Sequence, residues 1–346
     1  MKEIQPYTFN AAPFKRFRQL RTDAAMRDSQ AEVRLSANDF VLPFFIVVGR
    51  GVKKEIGSLQ GVYHLSPDVL LSELQEPARL GINKILLFGV IGEDHKDENG
   101  SFSASPDSPV NIAIRLVKES YPDLTVITDV CLCAYTSHGH CGILDGEVID
   151  NDKTLAPLAQ MALSHAQAGA DIVAPSAMMD GQVWAIRQLL DLHGFNKVKI
   201  LAYSAKYSSN LYGPFRGAAN SKPAFGDRKT YQMDYRSASQ AIDEMAADLD
   251  EGADFLMVKP AHTYLDIISR GKTAFPKVPM LAYHVSGEYM MLKAAANAGI
   301  VNEEAVALEI HTAIKRAGAD WIISYYAPLL AGMVNSKVKT FQVFKT

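Results

Sequence analysis

A repeated passage from helix to buried strand limits the possible folds of this chain more than any other feature. Four times, an amphipathic stretch ends at a glycine, one or two residues follow, and an apolar run rich in β-forming residues begins. Glycine readily adopts the left-handed conformation that ends a helix, and the short connection then leads into a buried parallel strand. The four passages are Gly81-Ile82-Asn83, Gly169-Ala170-Asp171, Gly252-Ala253-Asp254 and Gly318-Ala319-Asp320.

Four further apolar runs lie between these passages and bring the number of predicted strands to eight. Stretches with helical periodicity separate the runs, and this alternation predicts an α/β fold of the (β/α)8 TIM barrel class. An open doubly wound sheet is the alternative, but its glycine-rich nucleotide-binding fingerprint is missing after the first strand. The predicted strands are Phe40–Val48, Lys84–Val90, Leu124–Leu132, Ile172–Ser176, Val198–Ser204, Phe255–Pro260, Pro279–Val285 and Trp321–Tyr326.

Residues 1–38 lie outside this alternation, and we predict that they form an extended N-terminal arm. The arm carries the basic and aromatic run PFKRFRQLR, and its phenylalanines are Phe9, Phe14 and Phe17. Phenylalanine side chains are poorly suited to water, so packing against another subunit is favoured over a floppy terminus. Residues 39–346 are then the catalytic barrel domain.

The charge balance argues against nucleic acid as the main partner. Lys and Arg number 35 against 38 Asp and Glu, which gives a net charge of −3, and no long block of like charges occurs. The longest apolar run, Phe40–Gly49, has about ten residues and contains a proline, whereas a membrane-spanning helix needs about 20. We therefore expect a cytoplasmic protein that binds neither nucleic acid nor a membrane.

Two lysines stand at the ends of strands that are predicted to be buried, where TIM barrels carry their working residues. Lys206 follows the fifth strand, and Lys259 lies at the end of the sixth. A single lysine in such a place would extend to solvent or form an ion pair. If the two strands are neighbours, about 4.8 Å apart, the two positive charges oppose each other and at least one pKa falls. A neutral lysine amine forms Schiff bases with ketones and aldehydes, which indicates carbon-bond chemistry.

All three cysteines lie in one loop after the third strand, in the pattern C-x-C-x₇-C. They are Cys131, Cys133 and Cys141. Three thiolates favour zinc, and three protein ligands leave the fourth position open, as in catalytic zinc sites. His138 or His140 could close the site, although packing within the loop is the favoured interpretation for each histidine. The remaining alternative is three free cysteines without a metal.

The connection after the fifth strand, residues 207–236, is much longer than a barrel loop needs to be. It is rich in glycine, proline and aromatic residues, and we call it the lid. The lid carries Arg216 and Arg228, and a guanidinium offers paired donors to a carboxylate. The alternative for each arginine alone is an exposed, solvated side chain.

Several motifs around these residues resemble those of the zinc-dependent porphobilinogen synthase family, whose members are also called 5-aminolaevulinate dehydratases. They include DVCLCAYTSHGHCG, AYSAKY, LYGPFRGA, GDRKTYQMD, GADFLMVKPA and YHVSGEY. The resemblance extends from about Phe40 to the C-terminus. It implies a TIM barrel with an N-terminal arm that embraces a neighbouring subunit, in homo-oligomers that are usually octamers.

The resemblance also implies a reaction, the asymmetric condensation of two molecules of 5-aminolaevulinate to porphobilinogen in haem and tetrapyrrole synthesis. Two waters are lost. Lys259 matches the lysine that forms a Schiff base with the first substrate, which supplies the propionate side. Lys206 matches the lysine that binds the second substrate, which supplies the acetate side. Cys131, Cys133 and Cys141 match the ligands of the catalytic zinc.

For the second substrate, the resemblance implies that Arg216, Arg228 and Gln232 hold the carboxylate beneath the lid. It also implies that Asp129 and Ser176 are polar groups near that substrate. Without the resemblance, capping of a βα turn would explain Asp129 and Ser176 equally well.

For the first substrate, the resemblance implies that Ser286 and Tyr325 hold the carboxylate, although each could simply make a hydrogen bond at a strand end. Glu244 matches an allosteric magnesium ligand of some relatives, but an exposed helical carboxylate is the favoured interpretation. Thr230 stands where some relatives have a cysteine for an additional zinc. The run Lys15–Arg18 matches the arginine-rich arm signature only loosely.

Two other functions fit parts of the pattern. Another Schiff-base barrel enzyme, such as an aldolase, normally uses one reactive lysine and no zinc thiolates. A non-catalytic, zinc-stabilised scaffold would be expected to have lost a lysine or a lid arginine, and this chain retains both pairs.

Overall fold

The structure, a computed structural model, describes residues 14–343, with side chains described up to residue 336. Contacts divide the chain into two units, the first ending at Arg34 and the second beginning at Leu35. The predicted arm extended to residue 38, whereas Leu35 packs against the hydrophobic core of the second unit.

The first unit contains two short helices and exposes its aromatic side chains. A 3-10 helix, Phe17–Arg21, precedes the α-helix Ala24–Ser29. Phe14 and Phe17 are 62% and 59% exposed. Phe9, the other aromatic residue named for the predicted arm, lies outside the described residues.

The second unit is a closed barrel of eight parallel strands, which confirms the predicted fold class. Each strand pairs with the next one in the chain, and the eighth pairs with the first through Phe40 and Ile322. The strands are β1 Phe40–Val47, β2 Lys84–Val90, β3 Thr125–Val130, β4 Ile172–Pro175, β5 Lys199–Lys206, β6 Phe255–Lys259, β7 Met280–His284 and β8 Trp321–Ser324.

Helices follow the strands, and most of them agree with the predicted periodic stretches. The periodic stretch after the first strand, from Pro67 to Leu80, is divided into two helices, because Pro77 has no N–H group to donate to the carbonyl of Glu73. No helix within residues 14–343 is both long and apolar enough to cross a lipid bilayer. The main helices of the barrel are Pro67–Glu73, Gln75–Arg79, Pro109–Ser120, Asn151–Ala168, Gln182–Leu192, Gln240–Asp250, Leu265–Ala274, Ser286–Asn297, Glu303–Ala317 and Ala327–Val343.

Short strands and short helical segments lie within the loops. One antiparallel hairpin lies after β1, and a second lies after the cysteine loop. The hairpin strands are Lys53–Glu55, Tyr63–Leu65, Leu144–Asp145 and Val148–Ile149, and the short helical segments are Ala37–Asp39, Glu93–His95, Ser101–Ala104, Leu132–Ala134, Asn210–Tyr212, Gly213–Ala218 and His262–Tyr264.

The aspartates of the repeated Gly-Ala-Asp passages stabilise the end of the barrel at which the strands begin. Asp171, Asp254 and Asp320 each accept a hydrogen bond, of 2.7 to 2.9 Å, from a backbone N–H at the start of a neighbouring strand. Each aspartate also forms an ion pair with a lysine. The glycine of each passage has a positive φ, as the helix-end interpretation requires. The passages therefore fix both the chain direction and the strand pairing.

At the opposite end, which we call the mouth, the strands terminate in aromatic side chains. Phe45 of β1 lies 5.4 Å from the ring of Phe88 and 6.4 Å from that of Tyr325. Phe215 of the lid packs against Phe45 and Phe88, with ring centroids 5.7 and 5.1 Å apart. The lid therefore covers an apolar mouth, and polar groups within it are shielded from water.

Candidate active site

The two lysines face each other at the mouth. Lys206 ends β5, Lys259 ends β6, and the two residues are register partners on these neighbouring parallel strands. Each lysine is only 5% exposed. Within the described residues neither one forms an ion pair, so the ion-pair alternative does not apply.

Aromatic rings surround the Lys259 amine. Its Nζ atom lies 4.3 Å from the ring centroid of Tyr283, 5.0 Å from that of Phe215, 5.1 Å from that of Tyr203 and 5.3 Å from that of Tyr212. Burial, followed by the positive charge of Lys206, lowers the pKa of Lys259 to about 7. A large share of this amine is therefore neutral at physiological pH.

Lys206 is oriented by the strand next to its own. Its Nζ donates a hydrogen bond to the carbonyl oxygen of Ser176, which follows β4. On β3, Asp129 has one enclosed carboxylate oxygen, Oδ1, without a hydrogen-bond partner among the described residues, and burial raises the pKa of this carboxyl. The Tyr203 hydroxyl is buried beside Asp129, and burial together with that carboxyl raises the Tyr203 pKa well above its usual value. Unsatisfied buried polar atoms are rare, and at a barrel mouth they point to a bound molecule.

The three cysteines converge beyond the end of β3. The Sγ atoms of Cys131, Cys133 and Cys141 lie within 4.8 Å of one another, and all three residues are buried. Hydrogen bonds from the other two thiols lower the pKa of the Cys141 thiol. Zinc bound tetrahedrally at about 2.3 Å from each sulfur would need sulfur atoms about 3.8 Å apart, which fits this spacing. The cluster can therefore hold a metal ion.

The two histidines of this loop lie outside the sulfur cluster, as the packing interpretation expects. His140 contacts the lid through Nε2, 3.1 Å from the Phe225 carbonyl oxygen, and through Nδ1, 3.3 Å from the Tyr231 hydroxyl. His138 Nε2 lies 3.2 Å from the carbonyl oxygen of Glu98. The histidines therefore attach the cysteine loop to its surroundings.

The lid is held against the mouth by close backbone approaches and by hydrogen bonds to Ser286. Gly139 has a φ of +70°, and a Cβ atom there would lie 2.4 Å from the Lys222 carbonyl oxygen. Ser286, in the first turn of its helix, accepts a hydrogen bond from Phe215 N (3.0 Å) and donates one to the Leu211 carbonyl oxygen (3.3 Å). Ser286, expected to hold a carboxylate, thus also secures the lid.

Three predicted carboxylate binders sit in or under the lid with unused hydrogen-bonding capacity. Arg228 is buried, and its Nη2 donates to the carbonyl oxygens of Gly139 and Ser221, at 3.0 and 2.6 Å. Its Nε atom, the Nε atom of the half-buried Arg216, and both amide atoms of Gln232 have no partner among the described residues. Neither arginine forms an ion pair there, so the cluster offers donors to an anion.

The remaining predicted site residues are Tyr325 and Glu244. The Tyr325 hydroxyl lies 3.2 Å from that of Tyr283, at the mouth. Glu244 is half-buried, accepts a hydrogen bond from Gln240 (3.0 Å), and lines a cavity of about 460 Å³ together with Gln232. No group of three metal-ligating side chains within the described residues includes Glu244.

The sequence does not indicate that aromatic rings surround Lys259. Tyr203 and Tyr283 stand at strand ends and could be recognised as rim residues, but tyrosine is equally common in cores. Tyr212 and Phe215 come from the lid, and no pattern in the sequence indicates that they turn inward.

Comparisons with known proteins agree with this geometry. Residues 14–333 match the family model described as delta-aminolevulinic acid dehydratase. The delta-aminolevulinic acid dehydratase of Bacillus subtilis (strain 168) is 50% identical over 314 residues, which cover 91% of this chain and 96% of the relative. That of Halalkalibacterium halodurans is 51% identical over 324 residues, which cover 94% and 98%.

A solved structure is also similar. The delta-aminolevulinic acid dehydratase (porphobilinogen synthase) of Toxoplasma gondii ME49, in complex with the reaction product porphobilinogen, superposes with a TM-score of 0.89. It is 41% identical, and the match covers 94% of this chain and 92% of the other. The chain therefore belongs to the delta-aminolevulinic acid dehydratase family.

Proposed function

We propose that this chain is a hydro-lyase that condenses two molecules of 5-aminolaevulinate to porphobilinogen, in haem and tetrapyrrole biosynthesis. One carbon–carbon bond and one carbon–nitrogen bond form, and the two ketone oxygens leave as two waters. The observation that carries the proposal is the register pairing of two buried lysines, Lys206 and Lys259, at the mouth of the barrel, neither of which forms an ion pair within the described residues. Membership of the family supports the same reaction.

Lys259 attacks the ketone of the first substrate. Its neutral amine adds to the carbonyl carbon, water leaves, and the resulting Schiff base withdraws electrons from the neighbouring carbon. Ser286 and Tyr325 bind the carboxylate of this substrate. Because Ser286 already donates to the Leu211 carbonyl oxygen, its O–H must turn from the lid to the carboxylate when the substrate binds.

Lys206 binds the ketone of the second substrate through the same chemistry. Arg216, Arg228 and Gln232 bind the carboxylate of that substrate, and their unpartnered nitrogen atoms support this role. Asp129 and Ser176 are the polar groups nearest the Lys206 amine in the proposal, and the Ser176 carbonyl oxygen already orients it.

The three cysteines hold the metal of the proposed enzyme. Cys131, Cys133 and Cys141 offer three soft, buried donors, a set that selects zinc. When bound, zinc supplies a Lewis acid that polarises and orients the amino or carbonyl end of the second substrate. An allosteric magnesium ion at Glu244 belongs to the proposal through the family resemblance alone.

The proposed assembly is a homo-octamer in the cytoplasm, in which the arm contacts a neighbouring subunit. The exposed rings of Phe14 and Phe17, together with Leu20 at 43% exposure, support this role of the arm. Such side chains gain free energy when another subunit covers them.

A colorimetric assay of porphobilinogen tests substrate, product and metal together. We expect product from 5-aminolaevulinate, loss of product after dialysis against a chelator, and recovery when zinc is returned. Circular dichroism should show that the chelated protein remains folded. Zinc binding without product would indicate the scaffold alternative, and metal-independent adduct formation without product would indicate an aldolase-like enzyme.

The rate of Schiff-base formation should depend on pH through the Lys259 amine. The amine is protonated below its pKa of about 7 and neutral above it, so the rate should rise with pH and level off above about 8. Protein and substrate are mixed briefly at each pH and quenched with borohydride at one fixed pH, and the adduct is counted by intact mass. A profile with a midpoint near 10, the value of an ordinary lysine, would contradict the proposed environment of Lys259.

A further inference from the structure

Glu288 is a buried carboxylate that reaches beyond its own helix. It lies in the first turn of the helix Ser286–Asn297 and is only 4% exposed. Its Oε2 accepts a hydrogen bond of 2.7 Å from Val285 N, the usual contact of a first-turn glutamate with its N-cap residue. Its Oε1 accepts a second hydrogen bond, of 2.6 Å, from His262 N, in the loop after β6. One side chain thus joins the loops that follow β6 and β7.

These two loops carry the groups that set the position of the Lys259 amine. His262 is three residues beyond Lys259, and Ala261 N also approaches Glu288 Oε2, at 3.5 Å. On the other side, Val285 is two residues beyond Tyr283, whose ring is the nearest of those around Lys259 Nζ. A shift of either loop would change the distance between the amine and its aromatic surroundings.

Glu288 is more deeply buried than a helix cap requires. A first-turn glutamate caps its helix equally well from the surface, where water solvates the charge. Burying a carboxylate is expensive unless it is paired or hydrogen-bonded, and Glu288 forms no ion pair within the described residues. Hydrogen bonds from three backbone N–H groups compensate for that burial. Two of these groups, those of Ala261 and His262, lie in the loop after β6.

We propose that Glu288 is a positioning residue for Lys259, holding the β6 loop against the β7 loop so that the amine meets the substrate ketone. The inference rests on the proposed function, because it assumes that Lys259 forms the first Schiff base. It assigns Glu288 no contact with the substrate. A displacement of about 1 Å in a reacting group can cost about 100-fold in rate, so a loss of this size is expected without this carboxylate.

The test uses the zinc-loaded full chain and two variants of Glu288. Glu288→Gln keeps the length but turns its amide N–H₂ toward a backbone donor, while Glu288→Asp keeps a negative charge in the first helical turn but is one methylene group too short to span Val285 N and His262 N. We expect both variants to trap the borohydride adduct at Lys259 roughly 10–100-fold more slowly. kcat should fall more than KM rises, and Glu288→Asp should unfold at nearly the wild-type temperature. The matched control is Glu304→Gln, at an exposed first-turn glutamate of the next helix, which should behave as wild type.

The outcomes separate this inference from the proposed function. If the wild-type chain forms no adduct at Lys259, both fail. If it forms the adduct and Glu288→Asp does so at the same rate, the proposed function stands and the positioning role is overturned. Glu288→Asp decides the question even where Glu288→Gln does not fold, because an aspartate in the first turn still stabilises the helix.

Discussion

Lys259→Met should abolish both turnover and the borohydride adduct at position 259. Methionine has a similar length and an unbranched, adaptable side chain, so it can occupy the space among Tyr203, Phe215 and Tyr283 without collapse of the mouth. It has no amine, so no Schiff base can form at this position. We expect kcat to fall by at least about 10³-fold, with unfolding near the wild-type temperature. The porphobilinogen assay measures turnover, and peptide mass mapping after borohydride reduction shows whether position 259 carries an adduct.

Lys206→Met should have a different signature. The Lys259 amine remains, so one substrate molecule should still form an adduct although condensation is lost. Removing the Lys206 charge removes the second largest influence on the pKa of Lys259, which should rise, and the pH profile of adduct formation should move upward. The two lysines are therefore distinguishable even though they are register partners.

Lys293→Met is the matched control for both variants. The Lys293 amine also lies against aromatic rings, those of Tyr289 and Tyr326 at 5.6 and 5.8 Å, but it forms an ion pair with Glu303 at 2.7 Å. The Lys293 amine is engaged by its carboxylate partner, and its loss should leave the adduct unchanged. Turnover that survives in Lys259→Met, or is lost in Lys293→Met, would exclude the assigned nucleophile.

The barrel could be predicted because its signals are local. Buried parallel strands require continuous apolar runs, and the glycines that end the preceding helices have positive φ at Gly169, Gly252 and Gly318. The helix Leu265–Ala274 is harder to predict because Gly271 interrupts its pattern. A Cβ atom there would lie 2.8 Å from Met245 Sδ, so close packing against Met245 requires glycine at this position. The local sequence does not reveal this tertiary contact.

Within the site, only the residues that lie at strand ends or close together in the sequence could be predicted. Neighbouring strands bring Lys206 and Lys259 together, and the short C-x-C spacing brings two thiols to one loop. The position of Phe215 depends on the closed lid. A hydrogen bond to Ser286, more than sixty residues further along the sequence, holds the lid closed. Glu288 could be identified as a helix cap, but its contact with the β6 loop depends on tertiary structure.

Cys141→Ser should remove the metal and, with it, most of the activity. Serine is nearly isosteric, but its hydroxyl does not ionise near neutral pH and is a poor ligand for a soft site. Changes to residues that merely support a metal ligand cost about 10–100-fold in affinity, so loss of one of three ligands should exceed that range. We expect zinc content near zero after dialysis, product formation lower by at least about 100-fold, and an unchanged circular dichroism spectrum. Elemental analysis and the porphobilinogen assay provide the measurements.

His138→Asn is the control, because His138 lies in the same loop, outside the sulfur cluster. It should retain zinc, whereas a loop that is merely sensitive to any substitution would lose the metal in both variants. Full zinc occupancy in Cys141→Ser would show that the three sulfur atoms do not act as one site. The burial of all three thiols within 4.8 Å of one another would then require a different explanation. The comparison therefore tests the sulfur geometry itself, independently of the reaction at the lysines.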